Sequence, residues 1–507
     1  MTPTALTLLL LTQAVVAATP DAVYRLTLDA ELSRATVEFC VDRWPGPPRL
    51  LSQQKEAEGF RSPARVTRGR AEIVEGRRGI SLRNVADGSC IEYDVDLVRL
   101  EREGGERALR RVGNSVFTNS GLWLWRPESD DEGRELHIEL HLPVGVEASV
   151  PWPPLAPRAT ADPPRFRLTP TPRDWNDLTA FGELSYSELD VPGARLRLAI
   201  ADTSPPANTA DVAAWIDEAA RAVGTLYGRF PLPDPQVVVV PIGRRGEAVP
   251  WAQVQRGGGP SAHFYIDQFR PLTEFREDWT ATHELSHMLL PYVSRRDAWL
   301  SEGFASYYQN VLRARAGMIT PEQAWQKLYA GFERGRQGTR GDTLAEVSRD
   351  MHRRGAFMRV YWSGAAVALL ADVELREQSG GSQSLDLALQ RLADCCLPSH
   401  RTWTAREVLT RLDTLMETDL FVGLYERHKN APQFPDVAMA SAALGILERD
   451  GRLRFESGPE ESALRRAIMT TPAALLADST DTDTSHAPEP GSTTRPGDSG
   501  SPRRTAP

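Results

Sequence analysis

Lysine is almost missing from this chain. Lys55, Lys327 and Lys429 are the only three, and arginine supplies the rest of the 59 positive side chains. That bias reads as GC-rich coding and carries no function of its own. Against it stand 68 acidic residues, for a net charge of -9. A nucleic-acid backbone needs clustered positive charge, so no nucleic-acid partner is expected. No apolar run approaches the ~20 residues of a spanning helix, so no transmembrane segment is expected. No Gly-x-Ser-x-Gly elbow occurs, which disfavours a serine hydrolase. No internal repeat is evident. Cysteine is scarce, four in 507 residues, so the fold rests mainly on its apolar core. That core is adequate: 41% of residues are hydrophobic and 25% charged, which excludes wholesale disorder. At roughly 150 residues per domain, the length allows about three domains.

The first 18 residues carry no charged side chain. Ala5 to Leu11 is apolar, and Val16-Ala17-Ala18 ends the stretch with small residues. A secretory signal peptide over 1–18 is expected despite the missing basic n-region, with a periplasmic or extracellular destination. Cys40 sits opposite the face formed by Val37, Phe39 and Val41. Cys90 sits opposite the face formed by Ile91, Tyr93, Val95 and Leu97. A cross-strand disulfide between them is expected. Cys395 and Cys396 are adjacent and read as two separate thiols, with a vicinal disulfide as the alternative.

From Tyr24 to about Pro192, short β-like runs alternate with Gly, Pro and charged turns. Leu136 to Leu142 alternates with period two, and Tyr24–Leu28, Leu122–Trp125 and Arg165–Leu168 are further candidate strands. This texture predicts a β-sandwich-like N-terminal domain over 19–193. His137 and His141 share a strand face but lie about 13 Å apart, too far for one ion, and read as surface residues. After 194, Val212, Trp215, Ile216, Ala219, Val223 and Leu226 follow helical spacing. Val237–Val240 reads as a buried strand and Ala262–Ile266 as an edge strand. Helical signals dominate from Glu274 to about 467. Strands followed by helices predict an α+β fold, with a mixed domain over 194–394 and a helical part over 395–469. Ser, Thr, Pro, Asp and Gly dominate 470–507, which reads as a disordered tail.

The densest chemical signal is His283-Glu284-Leu285-Ser286-His287. On a helix, residues four apart share a face, so both imidazoles reach one ion. Glu284 then faces a metal-bound water as general base. A second block, Trp299-Leu300-Ser301-Glu302-Gly303-Phe304-Ala305, opens another helix. Glu302 falls in its first turn, and two His with one carboxylate leave the fourth position of Zn²⁺ open for water.

These two blocks resemble the gluzincin metallopeptidases, in particular the aminopeptidase N and glycyl aminopeptidase families. The resemblance implies a thermolysin-like catalytic domain behind the β domain. It implies one Zn²⁺ ion held by His283, His287 and Glu302, with Glu284 as base. Tyr361-Trp362-Ser363-Gly364 is similar to a third family block, whose Tyr donates to the oxyanion, and Tyr361 takes that role by the resemblance. Asp297 occupies the position of an acid common in the second block, and reads as either an orienting group or a loop charge.

Two departures from the family pattern stand out. Fourteen residues separate His287 from Glu302, a shorter connection than the aminopeptidase N pattern has. The segment Gly257-Gly258-Gly259-Pro260-Ser261 lacks the acid that grips a substrate's free amino group in these families. Gly257, Gly258 and Gly259 then read as a place where substrate backbone approaches, or as a plain flexible loop. The expectation is a secreted zinc-dependent metallopeptidase acting on peptides or proteins, with aminopeptidase activity in question. The alternative is a non-catalytic peptide-binding protein on a degenerate peptidase scaffold.

Overall fold

The computed structural model describes residues 20–471, apart from the short segments 45–47, 53, 55–56, 58, 77–78, 107, 129–132 and 158–161. The expected signal peptide (1–18) and all but the first two residues of the expected tail (470–507) lie outside the described residues.

The N-terminal region is built from three sheets, one of six strands and two of four. In the six-stranded sheet, Arg34–Val41 pairs antiparallel with Cys90–Asp96, which sets Cys40 opposite Cys90. The two are joined by a disulfide, as the face argument predicts. Leu136, Ile138 and Leu140 are buried, while His137 hydrogen-bonds Glu135 at 2.8 Å and His141 Nε2 lies 3.7 Å from Glu139 Oε2. Alternation is therefore read correctly there. It fails at Leu122–Trp125, which forms no strand. A single 3-10 turn over Ser120–Leu122 is capped by Asn119, whose side chain accepts from Gly121 N. Leu122, Trp123, Leu124 and Trp125 are all buried. An apolar run enclosed on every side has no period to read.

The next sheet has five strands among the described residues, in the order Leu184–Val191, Ala194–Ala201, Gln236–Pro241, Ser261–Ile266, Trp251–Gln255. Its first strand lies before residue 194, because Leu184–Val191 pairs antiparallel with Ala194–Ala201. A second correction concerns the edge. Ser261–Ile266 is fully buried between two strands, parallel to one and antiparallel to the other. The edge strand is Trp251–Gln255, whose polar side chains hid it from a hydrophobicity reading.

One face of this sheet meets the N-terminal region, where Ala199, Val238 and Tyr265 pack on Phe117, Leu178 and Ala180. A buried polar chain crosses the same junction. His263 bonds Ser261, Ser261 Oγ donates to Gln236 Oε1 at 2.6 Å, and Gln236 Nε2 donates to Ser149 Oγ at 3.0 Å. Burial pushes His263 down to about 3, so the ring is neutral at pH 7. The other face carries Leu198, Ile200, Val237, Val239, Phe264 and Ile266 into a core shared with the helices.

That core runs on without a break through Val408, Leu412 and Phe421 of the C-terminal helices. The region after 394 thus packs as a further layer on the five-stranded sheet and its helices. It holds a hairpin, Ile446–Arg449 with Arg452–Phe455, that a purely helical reading omits. Its turn residues, Asp450 and Gly451, have φ of 53° and 71°. An Asp-Gly pair is the sequence signal for such a turn. Cys395 and Cys396 are disulfide-bonded to each other, which corrects the reading of two separate thiols.

Candidate metal and catalytic centre

The metal-motif helix spans Thr280–Ser286, and Asp278 Oδ1 accepts from Thr280 N at 2.7 Å at its start. The chain tightens into a 3-10 turn over His287–Leu289 before Pro291. Both imidazoles still share one side, with ring centroids 5.0 Å apart. Glu302 arrives from the helix Ala298–Arg315. Its Oε2 lies 3.3 Å from His283 Nε2 and 3.5 Å from His287 Nε2. A tetrahedral ion about 2.0–2.1 Å from each ligand sets neighbouring ligand atoms about 3.3 Å apart. The three side chains therefore fit zinc by spacing as well as by chemistry. Burial opposes the charge on Glu302, yet the two imidazoles hold it well below the usual carboxylate range.

Gln309 is a participant that the sequence reading missed. Its Oε1 accepts from His283 Nδ1 at 2.7 Å, which fixes the ring and leaves Nε2 free for the ion. It lies two helical turns after Glu302, on the same face, and that spacing was the available signal.

Glu284 is buried in the motif helix. Burial pushes its carboxyl up to about 7, the charge of Glu302 adds to this, and His283 opposes it. Tyr361, on the helix Phe357–Gln378, stacks on His283 with centroids 5.8 Å apart and planes 13° apart. Burial and the charges of Glu302 and Glu284 push its phenol far above the ordinary tyrosine value. It is a neutral hydroxyl donor at pH 7.

Two glycines bring these helices together. A Cβ on Gly303 would collide with the Gly364 backbone, and one on Gly364 would collide with the Trp299 carbonyl oxygen. Glu302 and Tyr361 sit one and three residues from this crossing, so the glycines of the two blocks set their separation.

The shorter connection between the metal ligands is accommodated by pinning it to the C-terminal layer. Ser294 N donates to Trp403 O at 2.7 Å, and Trp403 N to Tyr292 O at 2.9 Å. Asp297 accepts from Ala405 N at 3.0 Å. It touches neither histidine, so it fastens a helix start rather than orienting a ligand.

Gly257, Gly258 and Gly259 are placed differently from the expectation. A Cβ on Gly257, Gly258 or Gly259 would collide with Asn176, Trp152 or Pro151 of the N-terminal region, and Gly258 has φ of 71°. The close approach that needs glycine is made by the chain's own N-terminal region, through backbone at Asn176 and Pro151 and the side chain of Trp152. Arg256, just before them, donates to the carbonyls of His287 at 2.7 Å and Leu290 at 3.3 Å. Burial pulls its guanidinium down to about 10.

Residues 280–368, which contain the His283–His287, Trp299–Ala305 and Tyr361–Gly364 blocks but not Gly257–Gly259, match the family model of the M61 glycyl aminopeptidases. No curated protein matches the chain. Solved structures share its fold at low identity. An aminopeptidase N family protein from Idiomarina loihiensis is 14% identical, with a TM-score of 0.61 over 84% of this chain and 78% of that one. An M1 zinc metallopeptidase from Deinococcus radiodurans is 14% identical, with a TM-score of 0.51 over 82% of this chain and 95% of that one. Yeast LTA4 hydrolase is 12% identical, with a TM-score of 0.50 over 84% and 70%. By motif, family match and fold, the chain resembles the gluzincin metallopeptidases of the glycyl aminopeptidase and aminopeptidase N families, and these findings together support a zinc aminopeptidase-like hydrolase.

Proposed function

We propose that this chain is a zinc-dependent peptidase that hydrolyses peptide bonds outside the cytoplasm. The observation that carries the reading is the convergence of three ligand atoms, all within 4.8 Å of one another, with Glu284 and Tyr361 beside them. When bound, Zn²⁺ polarises the scissile carbonyl and lowers the pKa of a water towards 7. His283, His287 and Glu302 hold the ion, and Gln309 keeps the His283 ring turned towards it. Glu284 takes the proton of the attacking water at its carboxylate and passes it to the leaving amine. Tyr361 donates its hydroxyl to the oxygen on which negative charge develops, a contribution worth roughly 3 kcal/mol of barrier.

A peptide in extended form fits the free edge of Trp251–Gln255, whose other edge is already paired. A variant of the Deinococcus radiodurans enzyme has been solved with a Tyr-Ser-Ala substrate. That supports a peptide ligand for the shared fold. The two disulfides support an oxidising, periplasmic or extracellular location. Among the described residues no helix is long and apolar enough to cross a membrane.

The test is Glu284→Gln. The variant should keep stoichiometric zinc by elemental analysis and lose at least a thousandfold in peptide cleavage. Near-normal turnover would remove Glu284 as the base. Zinc bound by the wild-type chain with no cleavage of any peptide in a mixed library would favour the rival reading, a peptide-binding protein on a peptidase scaffold.

A further inference from the structure

The two disulfides of this chain differ in access and in span. Cys40 and Cys90 are 6% and 1% exposed and lie 50 residues apart in sequence. Cys395 is exposed, Cys396 is half-buried against the helical core, and their separation is 1. Residues 395–401 line an open hollow of about 420 Å³ at this point of the surface. A thiol from solution therefore has a way to one pair and not to the other. The fold also protects the two bonds unequally. Native packing brings Cys40 and Cys90 together from distant positions, which favours their bond. Adjacent cysteines are near each other whether or not the chain is folded, so folding lends their bond little protection. Exposed bonds without such support are the ones that exchange with external thiols.

The exposed pair stands between two anchored pieces of the C-terminal layer. It ends the helix Leu385–Cys396, whose start is bolted to the helices of the metal centre. Asp386 accepts from Arg315 at 2.7 Å, on the helix that carries Glu302, and from Arg376 at 3.3 Å, on the helix that carries Tyr361. Beyond the pair, Thr402 Oγ1 accepts from Trp175 Nε1 at 2.9 Å, and Trp175 lies against Tyr292 with ring centroids 4.8 Å apart. Trp403 then bonds the backbone of Tyr292 and Ser294, in the connection between the ligands His287 and Glu302. Residues 397–402 thus form a strap from the disulfide to that connection. The strap is braced on Trp403, whose Nε1 donates to Ser399 Oγ at 2.8 Å and whose ring is covered by the Arg401 guanidinium at 3.8 Å.

A bond between adjacent side chains closes a small ring through the intervening peptide and restricts the dihedrals on either side of it. While the bond stands, the strap leaves the helix in one direction. Once the bond is broken those dihedrals are free, and holding the strap in place costs chain entropy.

We propose that Cys395–Cys396 is a thiol-exchange site for a dithiol reductant, and that its redox state sets how firmly the strap holds the connection between the metal ligands. A thiolate of the reductant attacks Cys395 Sγ, the S–S bond breaks, and Cys396 leaves as a thiolate that takes up a proton. The reductant's second thiolate then attacks the reductant sulfur of the mixed disulfide and releases Cys395, which is protonated in turn. The reductant gives up two electrons and two protons and becomes a disulfide, and the protein gains two thiols. Exchange with an oxidised partner runs the same steps backwards and restores the bond. The oxidised form is the tighter zinc binder. The link to the metal rests on the zinc reading of the centre, and the exchange site does not.

The test treats the full zinc-loaded chain with dithiothreitol under native conditions, quenches it with iodoacetamide and maps the label by peptide mass spectrometry. Cys395 and Cys396 should be alkylated at least about tenfold faster than Cys40 and Cys90. Equal rates for all four, or no label on the adjacent pair, overturns the proposal. Zinc release to a chelator is then timed, free of reductant, for the oxidised chain, the reduced and alkylated chain, and the double variant Cys395→Ser/Cys396→Ser, which adds no bulk. Both open forms should release zinc about fivefold or more faster than the oxidised chain. Release at the oxidised rate overturns the link to the metal. Reoxidation of the reduced, unalkylated chain with oxidised glutathione should restore slow release, and failure to restore it overturns the switch. Neither readout needs turnover, so absence of peptide cleavage strikes only the hydrolase reading. A wild type that binds no zinc strikes the metal reading, and the labelling alone then decides the exchange site.

Discussion

At the scale of single residues, the candidate site divides into groups that would touch a bound ion and groups that hold those in place. His283 shows the division: Nε2 faces Glu302, and Nδ1 donates to Gln309 at 2.7 Å. A partner on the second nitrogen fixes the tautomer and raises ligand basicity, typically worth 10–100-fold in metal affinity. Gln309→Leu should therefore weaken zinc binding about 10–100-fold in a chelator-competition titration while leaving the fold intact by circular dichroism. A dissociation constant within threefold of wild type would show that Gln309 only fills space. Trp279, edge-on to His283 at 5.1 Å and 43% exposed, is the apolar group at the mouth of the site.

At the scale of elements, the decisive contact is the crossing of Ala298–Arg315 with Phe357–Gln378. Gly303 and Gly364 meet there with no room for a methyl group on either side. Backbone cannot retreat as the end of a long side chain can, so a Cβ forces the helices apart. Gly364→Ala should destabilise the protein by about 1–3 kcal/mol or more and weaken zinc binding as Glu302 moves off the histidines. Thermal melts and zinc titration check both. Gly423→Ala in the helix Leu420–His428 is the control, because no atom lies within 4 Å of its Cβ position. That substitution should be neutral or slightly stabilising. If Gly364→Ala melts with the wild type, the crossing tolerates separation and the glycines do not set the site.

At the scale of the whole molecule, the N-terminal region does more than precede the layers that carry the candidate centre. It supplies one wall of a cavity beside the edge strand, and Asn176 O accepts from Gly257 N at 2.9 Å at the strand's exit. Its own integrity depends on the Cys40–Cys90 bridge, which spans a sequence separation of 50. In the chain-entropy account, a loop of that size is worth about 4 kcal/mol. Cys395–Cys396 has a separation of 1 and constrains almost nothing in the unfolded chain. Replacing Cys40 and Cys90 by serine should lower stability in denaturant titrations by about 2–5 kcal/mol, and replacing Cys395 and Cys396 by well under 1. Equal losses from the two pairs would show that loop closure is not the source of the stabilisation.

The sequence by itself determined which side chains could form the candidate centre, because that information is local. Two histidines four residues apart share a helix face wherever the helix lies, and a Glu block with a Tyr-x-x-Gly block completes a set whose spacing is short-range. Period-two alternation likewise exposed Leu136–His141, and opposed faces exposed the Cys40–Cys90 pair. Only the tertiary structure decided matters that depend on what lies across a gap. It assigned the edge to Trp251–Gln255 rather than Ser261–Ile266, because pairing depends on the neighbouring strand and not on hydrophobicity. It turned Gly257, Gly258 and Gly259 towards Asn176, Trp152 and Pro151, residues some eighty to a hundred positions away. It found Gln309 behind His283 and pinned Tyr292 and Ser294 to Trp403. Each of these is set by packing between distant segments, where a residue's type is fixed by its neighbours in space and its sequence neighbours carry no trace of them.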